Sequence, residues 1–156
     1  MGMAITLKEY LKDCDIAFDV IEHDYEATSL NTANSAHIAG DCLAKGVLLR
    51  DDKSYTVAVL PSTHMIDLDK MRLCFDRNFE LASEGEINVL FEDCDPGAVP
   101  PVGGAYGMKV LMDDALAGQP EIYFEAGDHR TLVHIKDQEF EKLMAAADHA
   151  SFSHHI

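Results

Sequence analysis

The sequence predicts an α+β protein in which a curved, barrel-like mixed or antiparallel sheet is surrounded by helices. Short runs such as YTVAVLP and TLVHI recur through the chain and carry the apolar, β-branched character of strands. Between them lie stretches with apolar residues three and four apart, opened by Ser, Thr or Asp, which read as capped helices. Strands and helices do not alternate strictly, and no GxGxxG follows a strand, so a doubly wound dinucleotide fold is disfavoured.

TLKEYLKDCD places Thr6 and Glu9 at capping-box spacing and puts Leu7, Tyr10, Leu11 and Cys14 on one helical face. IAFDVIEH alternates as a strand. LNTANSAHIAG reads as a short helix started by Asn31 or Thr32 and stopped by Gly40. CLAKGVLLR and YTVAVLP form two strands joined by the turn DDKS. IDLDKMRLCF is a helix capped by Asp67, with Leu68, Met71 and Phe75 facing inward. FELAS is a short strand, and SEGEINVLF repeats the capping box with Ser83 and Glu86, running helical to about Phe91. The loop EDCDPGAVPPVGGAYG follows, then three strand-like runs: GMKVLMDDAL, EIYFEAG and TLVHI. KDQEFEKLMAAADHA reads as a closing helix and SFSHHI as a frayed tail, giving one domain over 1–150 and a flexible segment over 151–156.

Composition bounds the function. A chain of 156 residues buries one sizeable core. A formal charge of −16 opposes extensive tracking along a phosphate backbone, where affinity comes from Lys and Arg displacing counterions. It still allows a local spot that receives one end of a nucleic acid. No apolar run reaches the ~20 residues that span a bilayer, and the start shows no secretory pattern. MGMAIT fits the N-myristoylation pattern through Gly2 and Thr6, but so short a motif carries little weight. Cys14, Cys42, Cys74 and Cys94 have no CxxC spacing, so they read as small core thiols of a cytoplasmic protein.

Lys45 is the first candidate for chemistry, a charge within the apolar strand CLAKGVLL. Lysine is rarely buried without compensation. It therefore either sits on an edge strand with its head in water or points into a cleft that holds an anionic or electron-rich group. The second candidate is the loop, where prolines remove donors and glycines allow the main chain to approach a ligand closely. His129, in the turn AGDHRTL, is placed to line a pocket mouth or to be solvated. There is no HxH, HExxH or GxSxG pattern, so no metal set, no cofactor and no familiar nucleophile is expected.

LAKGVLL, LPSTHMIDLDKMR, LASEGEI, FEDCDPGAVPPVGGAYGMKVLMDDAL and EIYFEAGDHRTLVHI together resemble, in order, the YbaK/prolyl-tRNA-synthetase-associated editing domain family. The resemblance implies a trans-editing deacylase that hydrolyses the ester joining a wrong, small amino acid to the 3′ end of a tRNA. It places the essential lysine on Lys45 and the GxxxP loop on Gly97, Ala98, Val99, Pro100 and Pro101, whose backbone would wall the reactive ester. It also implies help from the neighbouring ribose hydroxyl, no metal or other cofactor, and the tRNA acceptor end as partner. Tyr25, Thr28, Ser29 and His129 are the candidates for the substrate pocket. Gly46 stands where some members carry Asn, so no amide side chain acts at that position. The alternatives are a binding module on the same fold that does not turn over its ligand, and a hydrolase of another small activated ester. Lys45, Arg50, Lys53, Lys109 and Arg130 are the cations available to a tRNA entrance.

Overall fold

The computed structural model describes residues 3–26 and 28–156, and Gly2 of the acylation pattern lies outside them. The first helix, α1 (Ile5–Asp13), starts at Ala4, whose N–H bonds the carbonyl of Ala126 at 2.8 Å and ties the helix to the sheet. The Thr6–Glu9 box is therefore not used. Thr6 lies within the first turn and donates its N–H to Asp93 Oδ2 at 3.0 Å, so a carboxylate distant in sequence meets the positive helix end. Strand β1 (Asp19–Glu22) follows, then helix α2 (Ser29–Ser35). Thr28 caps α2 by accepting from Asn31 N–H at 3.2 Å, three residues earlier than Asn31. The helix ends before His37, at φ 57, rather than at Gly40.

The hairpin forms as its turn chemistry requires. Strands β2 (Leu43–Arg50) and β3 (Tyr55–Pro61) pair antiparallel, and Asp51 Oδ1 accepts the N–H groups of Lys53 and Ser54 in the turn. Strand β4 (His64–Ile66) leads into helix α3 (Leu68–Phe75), capped by Asp67 through Lys70 N–H at 3.1 Å. Strand β5 (Glu80–Leu81) precedes helix α4 (Glu84–Leu90), where both hydrogen bonds of the Ser83–Glu86 box are made. Then come β6 (Lys109–Asp113), β7 (Glu121–Glu125), β8 (Thr131–Lys136), helix α5 (Asp137–Leu143), β9 (Asp148–Ala150) and β10 (Ser153–His155).

Seven strands run in the order β1-β8-β7-β2-β3-β6-β9, with β5 attached to β2. The sheet is mixed and open, since β1 and β9 lie at opposite ends of this path, so it is not a barrel. Helices cover both faces. Leu7 and Leu11 of α1 and Phe140 of α5 pack with Ala44, Val57 and Val59 on one side. Met71 of α3 packs with Leu49, Ala58 and Leu60 on the other.

Two expectations at the C-terminus are corrected. The closing helix stops at Leu143, because residues 148–150 pair parallel with the free edge of β6. Residues 153–155 are not a loose tail but pair antiparallel with β4. Phe152 is fully buried against Phe75, and its N–H reaches Asp113 Oδ2 at 3.1 Å. That aromatic burial anchors the segment. No helix among the described residues is long and apolar enough to cross a membrane.

Candidate active site

Strand β2 carries the site because its outer edge is divided between two short partners. β7 pairs with Leu43 and Ala44, and β5 pairs with Leu49 and Arg50. Between them, residues 45–47 form a notch, bounded where Leu48 O accepts Ala82 N–H at 3.0 Å. The Pro/Gly loop sits against it: a Cβ on Gly46 would lie 3.0 Å from Pro101 Cα and 3.2 Å from Val57 Cγ1. Only glycine lets strand and loop approach so closely, which is what position 46 does here.

Lys45 thus lies on a strand interior to the sheet order, at a point where that strand's outer edge is locally unpaired. Its side chain leaves β2 on the opposite face from Ala44 and lines a narrow cleft. Leu43, Ala44, Gly46, Thr28, Gly97, Val99, Glu125 and His129 complete the lining. About 40 Å³ of this cleft is open to the centre of a water molecule. Lys45 is half-buried, and desolvation lowers its pKa below the ordinary lysine value.

The loop is held from three sides. Asp93 accepts Thr6 N–H through Oδ2 and the Tyr106 hydroxyl through Oδ1 at 2.8 Å. Asp95 N–H donates to Gly127 O at 2.7 Å. His129 Nε2, its ring buried, lies 2.5 Å from the carbonyl of Pro96. The carbonyl can only accept, so this nitrogen carries a proton. His129 itself is at φ 60, in a turn built by Asp128, whose carboxylate accepts from Arg130 N–H, Thr131 N–H and the Thr131 hydroxyl.

The GxxxP run divides by role. Gly97, at φ 82, and Val99 line the cleft, whereas Ala98, Pro100 and Pro101 are buried beneath it. Ala98 N–H is already given to Asp95 O at 3.0 Å, and the prolines have no N–H. Gly97 and Val99, the loop residues that line the cleft, are also the ones whose N–H groups are given to no backbone carbonyl among the described residues. Thr28 joins the lining, and its hydroxyl also caps α2. Tyr25 stays outside as a rim, 53% exposed, with its ring 5.1 Å from that of His129 and 5.6 Å from the Arg130 guanidinium. Ser29 opens α2, and its side chain lies outside the described residues. Cys94, at the loop's start, has its thiol pushed up to about 12, chiefly by burial, and is a poor nucleophile.

Glu125 is the group that sequence reasoning missed. It follows the last β2–β7 pair, Ala44 with Phe124, and faces the cleft as Lys45 does. Its Oε1 accepts the Thr32 hydroxyl at 3.2 Å. Burial is the main cause that raises its pKa to about 7, against lowering contributions from His129 and the Thr32 hydrogen bond. The available signal was a carboxylate directly after the apolar IYF.

A model of the aminoacyl-tRNA editing domain family matches residues 23–143. The chain belongs to this family. The match contains Lys45, the loop, Glu125 and His129. No match is found among curated proteins. Among solved structures, a proposed trans-editing enzyme for prolyl tRNA synthetase is 21% identical, with a TM-score of 0.84 over 97% of this chain and 96% of the other. A hypothetical protein is 18% identical, with a TM-score of 0.83 over 96% and 99%. A structure from work on grafting epitopes onto scaffold proteins is 21% identical, with a TM-score of 0.82 over 97% of each chain. At these identities the likenesses establish the editing-domain fold.

Proposed function

We propose that this editing domain is a trans-editing deacylase, acting in the cytoplasm on the ester between a small amino acid and the 3′ end of a tRNA. One observation carries the reading: Lys45 and the loop residues Gly97 and Val99, whose N–H groups have no backbone acceptor among the described residues, line one narrow cleft. Water adds to the ester carbonyl carbon, and the carbonyl oxygen becomes an oxyanion. Backbone N–H groups stabilise that charge without reorganising, and the Lys45 ammonium adds to the field in a partly desolvated site. The carbon–oxygen bond to the ribose then breaks. The proton lost by water passes through the neighbouring ribose hydroxyl to the leaving oxygen, giving free amino acid and intact tRNA.

The small cleft supports a small side chain as the substrate class. At roughly 10–15 Å³ per water, the open volume accommodates only a few waters, which fits a small side chain and opposes a large one. Acceptor-stem minihelices charged with alanine, serine, threonine, cysteine or phenylalanine test the reading directly. Hydrolysis of at least one small aminoacyl ester above its spontaneous rate, with the phenylalanyl ester untouched, is the expected result. Tight binding of such minihelices with no turnover would instead identify a binding module.

A further inference from the structure

Glu125 has no role in the ester chemistry, and its surroundings leave it incomplete. It is 8% exposed, and although Oε1 is hydrogen-bonded to Thr32, Oε2 is buried with no hydrogen-bond partner. A buried polar oxygen in that state costs free energy unless a ligand completes it. It is also the only carboxylate lining the cleft among the described residues.

An aminoacyl ester brings a cation into such a site, because its α-ammonium group sits one carbon from the carbonyl under attack. Lys45 and the loop N–H groups are donors and cannot receive it. We infer that Glu125 Oε2 receives the α-ammonium of the aminoacyl group and thereby selects aminoacyl over other acyl esters. The inference rests on the deacylase reading. Pairing with the ammonium would neutralise both charges as they leave water, the condition under which a buried carboxylate is tolerated. The raised pKa has the same origin, chiefly burial of the carboxylate.

Other groups face this carboxylate. His23, after β1, places Nε2 3.9 Å from Oε1. Thr32 comes from α2, Lys45 from β2, and Asp128 and His129 from the β7–β8 turn. All of them remain when Glu125 is changed to Gln, and the substrate's α-ammonium itself loses its proton at about pH 8, so any pH dependence that survives the substitution belongs to these groups or to the substrate.

The test compares minihelices charged with alanine and with lactate, which carries an α-hydroxyl in place of the ammonium. kcat/KM is measured for the wild type and Glu125→Gln between about pH 5.5 and 8, each rate divided by its spontaneous rate. Wild type should favour the alanyl ester by roughly 10–100-fold, as expected for a charge-assisted contact of 1.5–3 kcal/mol. That preference should grow as Glu125 ionises near pH 7 and level off or fall toward about pH 8, where the α-ammonium loses its proton. Glu125→Gln should lose most of the preference and its pH dependence while still hydrolysing the lactyl ester. Equal handling of both esters by the wild type overturns the inference whatever the variant does, and so does an equal loss on both esters in the variant. If wild type hydrolyses neither ester but other small aminoacyl esters are turned over, the same comparison is made with seryl and glyceryl minihelices. If no aminoacyl ester is hydrolysed at all, the deacylase reading fails, and the inference fails with it.

Discussion

Lys45 and Glu125 emerge from neighbouring strands into one cleft, and burial drives both toward their neutral forms. For the lysine this means a lowered pKa, for the glutamate a raised one. The glutamate has a measurable consequence for stability. Its folded pKa, about 7, lies above the ordinary value of 4.5, so the folded state binds this proton more tightly than the unfolded chain does. The stability linked to that proton is complete below pH 4.5 and is lost as pH rises through 7. A gap of that size corresponds to roughly 3 kcal/mol. Glu125→Gln mimics the protonated carboxyl and can keep the Thr32 hydrogen bond. It should therefore match wild type in thermal stability near pH 5 and exceed it at pH 8. A variant that is less stable than wild type at pH 8 would show that the carboxylate is satisfied in the folded state.

At the scale of elements, the site depends on a notch in β2 and on a loop that fits it. Gly46→Ala would bring a Cβ to 3.0 Å from Pro101 Cα, which is backbone and cannot move away cheaply. The loop must shift, and a shift of this kind near reacting groups costs on the order of 10²-fold in rate. Deacylation should fall by about that much, with the fold retained by circular dichroism; full activity would mean the loop position is unimportant. Phe152 tests the C-terminal correction. Phe152→Ala should lower the unfolding free energy in urea by about 3–5 kcal/mol, whereas a loose tail would give no change. The contrast between these elements explains what was legible in the sequence. The β2–β3 hairpin and the Ser83–Glu86 box are local, so spacing alone revealed them, and Lys45 stood out as a charge among aliphatic residues. β9 and β10 have three residues each and exist only through distant partners, β6 and β4. Asp93 caps α1 from 87 positions away. Glu125 escaped notice because a glutamate closing a strand ordinarily turns to water, and only the packing of α2 and the β7–β8 turn buries it.

Across the whole molecule, the net charge of −16 and the placement of the cations limit how a tRNA can be held. Arg50 is engaged by Glu80 at 2.8 Å and Glu86 at 3.5 Å. Lys53 lies in the hairpin turn, and Lys109 is registered with Thr56 near the same end of the sheet. At about 3.3 Å per residue, that end of β2 is some ~20 Å from Lys45. Of the five cations considered, only Lys45 and Arg130 flank the cleft, the latter over the Tyr25 rim. Binding should therefore use few phosphates and depend weakly on salt. A protein gripping six to ten phosphates loses roughly 10³–10⁵ in affinity between ~50 and ~200 mM salt, and this one should lose about tenfold or less. A steep loss, measured by tRNA binding across that range, would place the interface along the tRNA body.

The central claim is that the cleft around Lys45 hydrolyses a small aminoacyl ester, and one paired measurement tests it most directly. Deacylation of the best small aminoacyl minihelix is followed for wild type and Lys45→Ala, alongside their melting temperatures. Lys45 is half-buried and desolvation lowers its pKa, so removing its ammonium should cost the fold little. The account predicts a loss on the order of 10²–10³ in kcat/KM, as for removal of one oxyanion-stabilising group, with a melting temperature nearly unchanged. Undiminished turnover in Lys45→Ala, or a loss of activity that only follows unfolding, would contradict it.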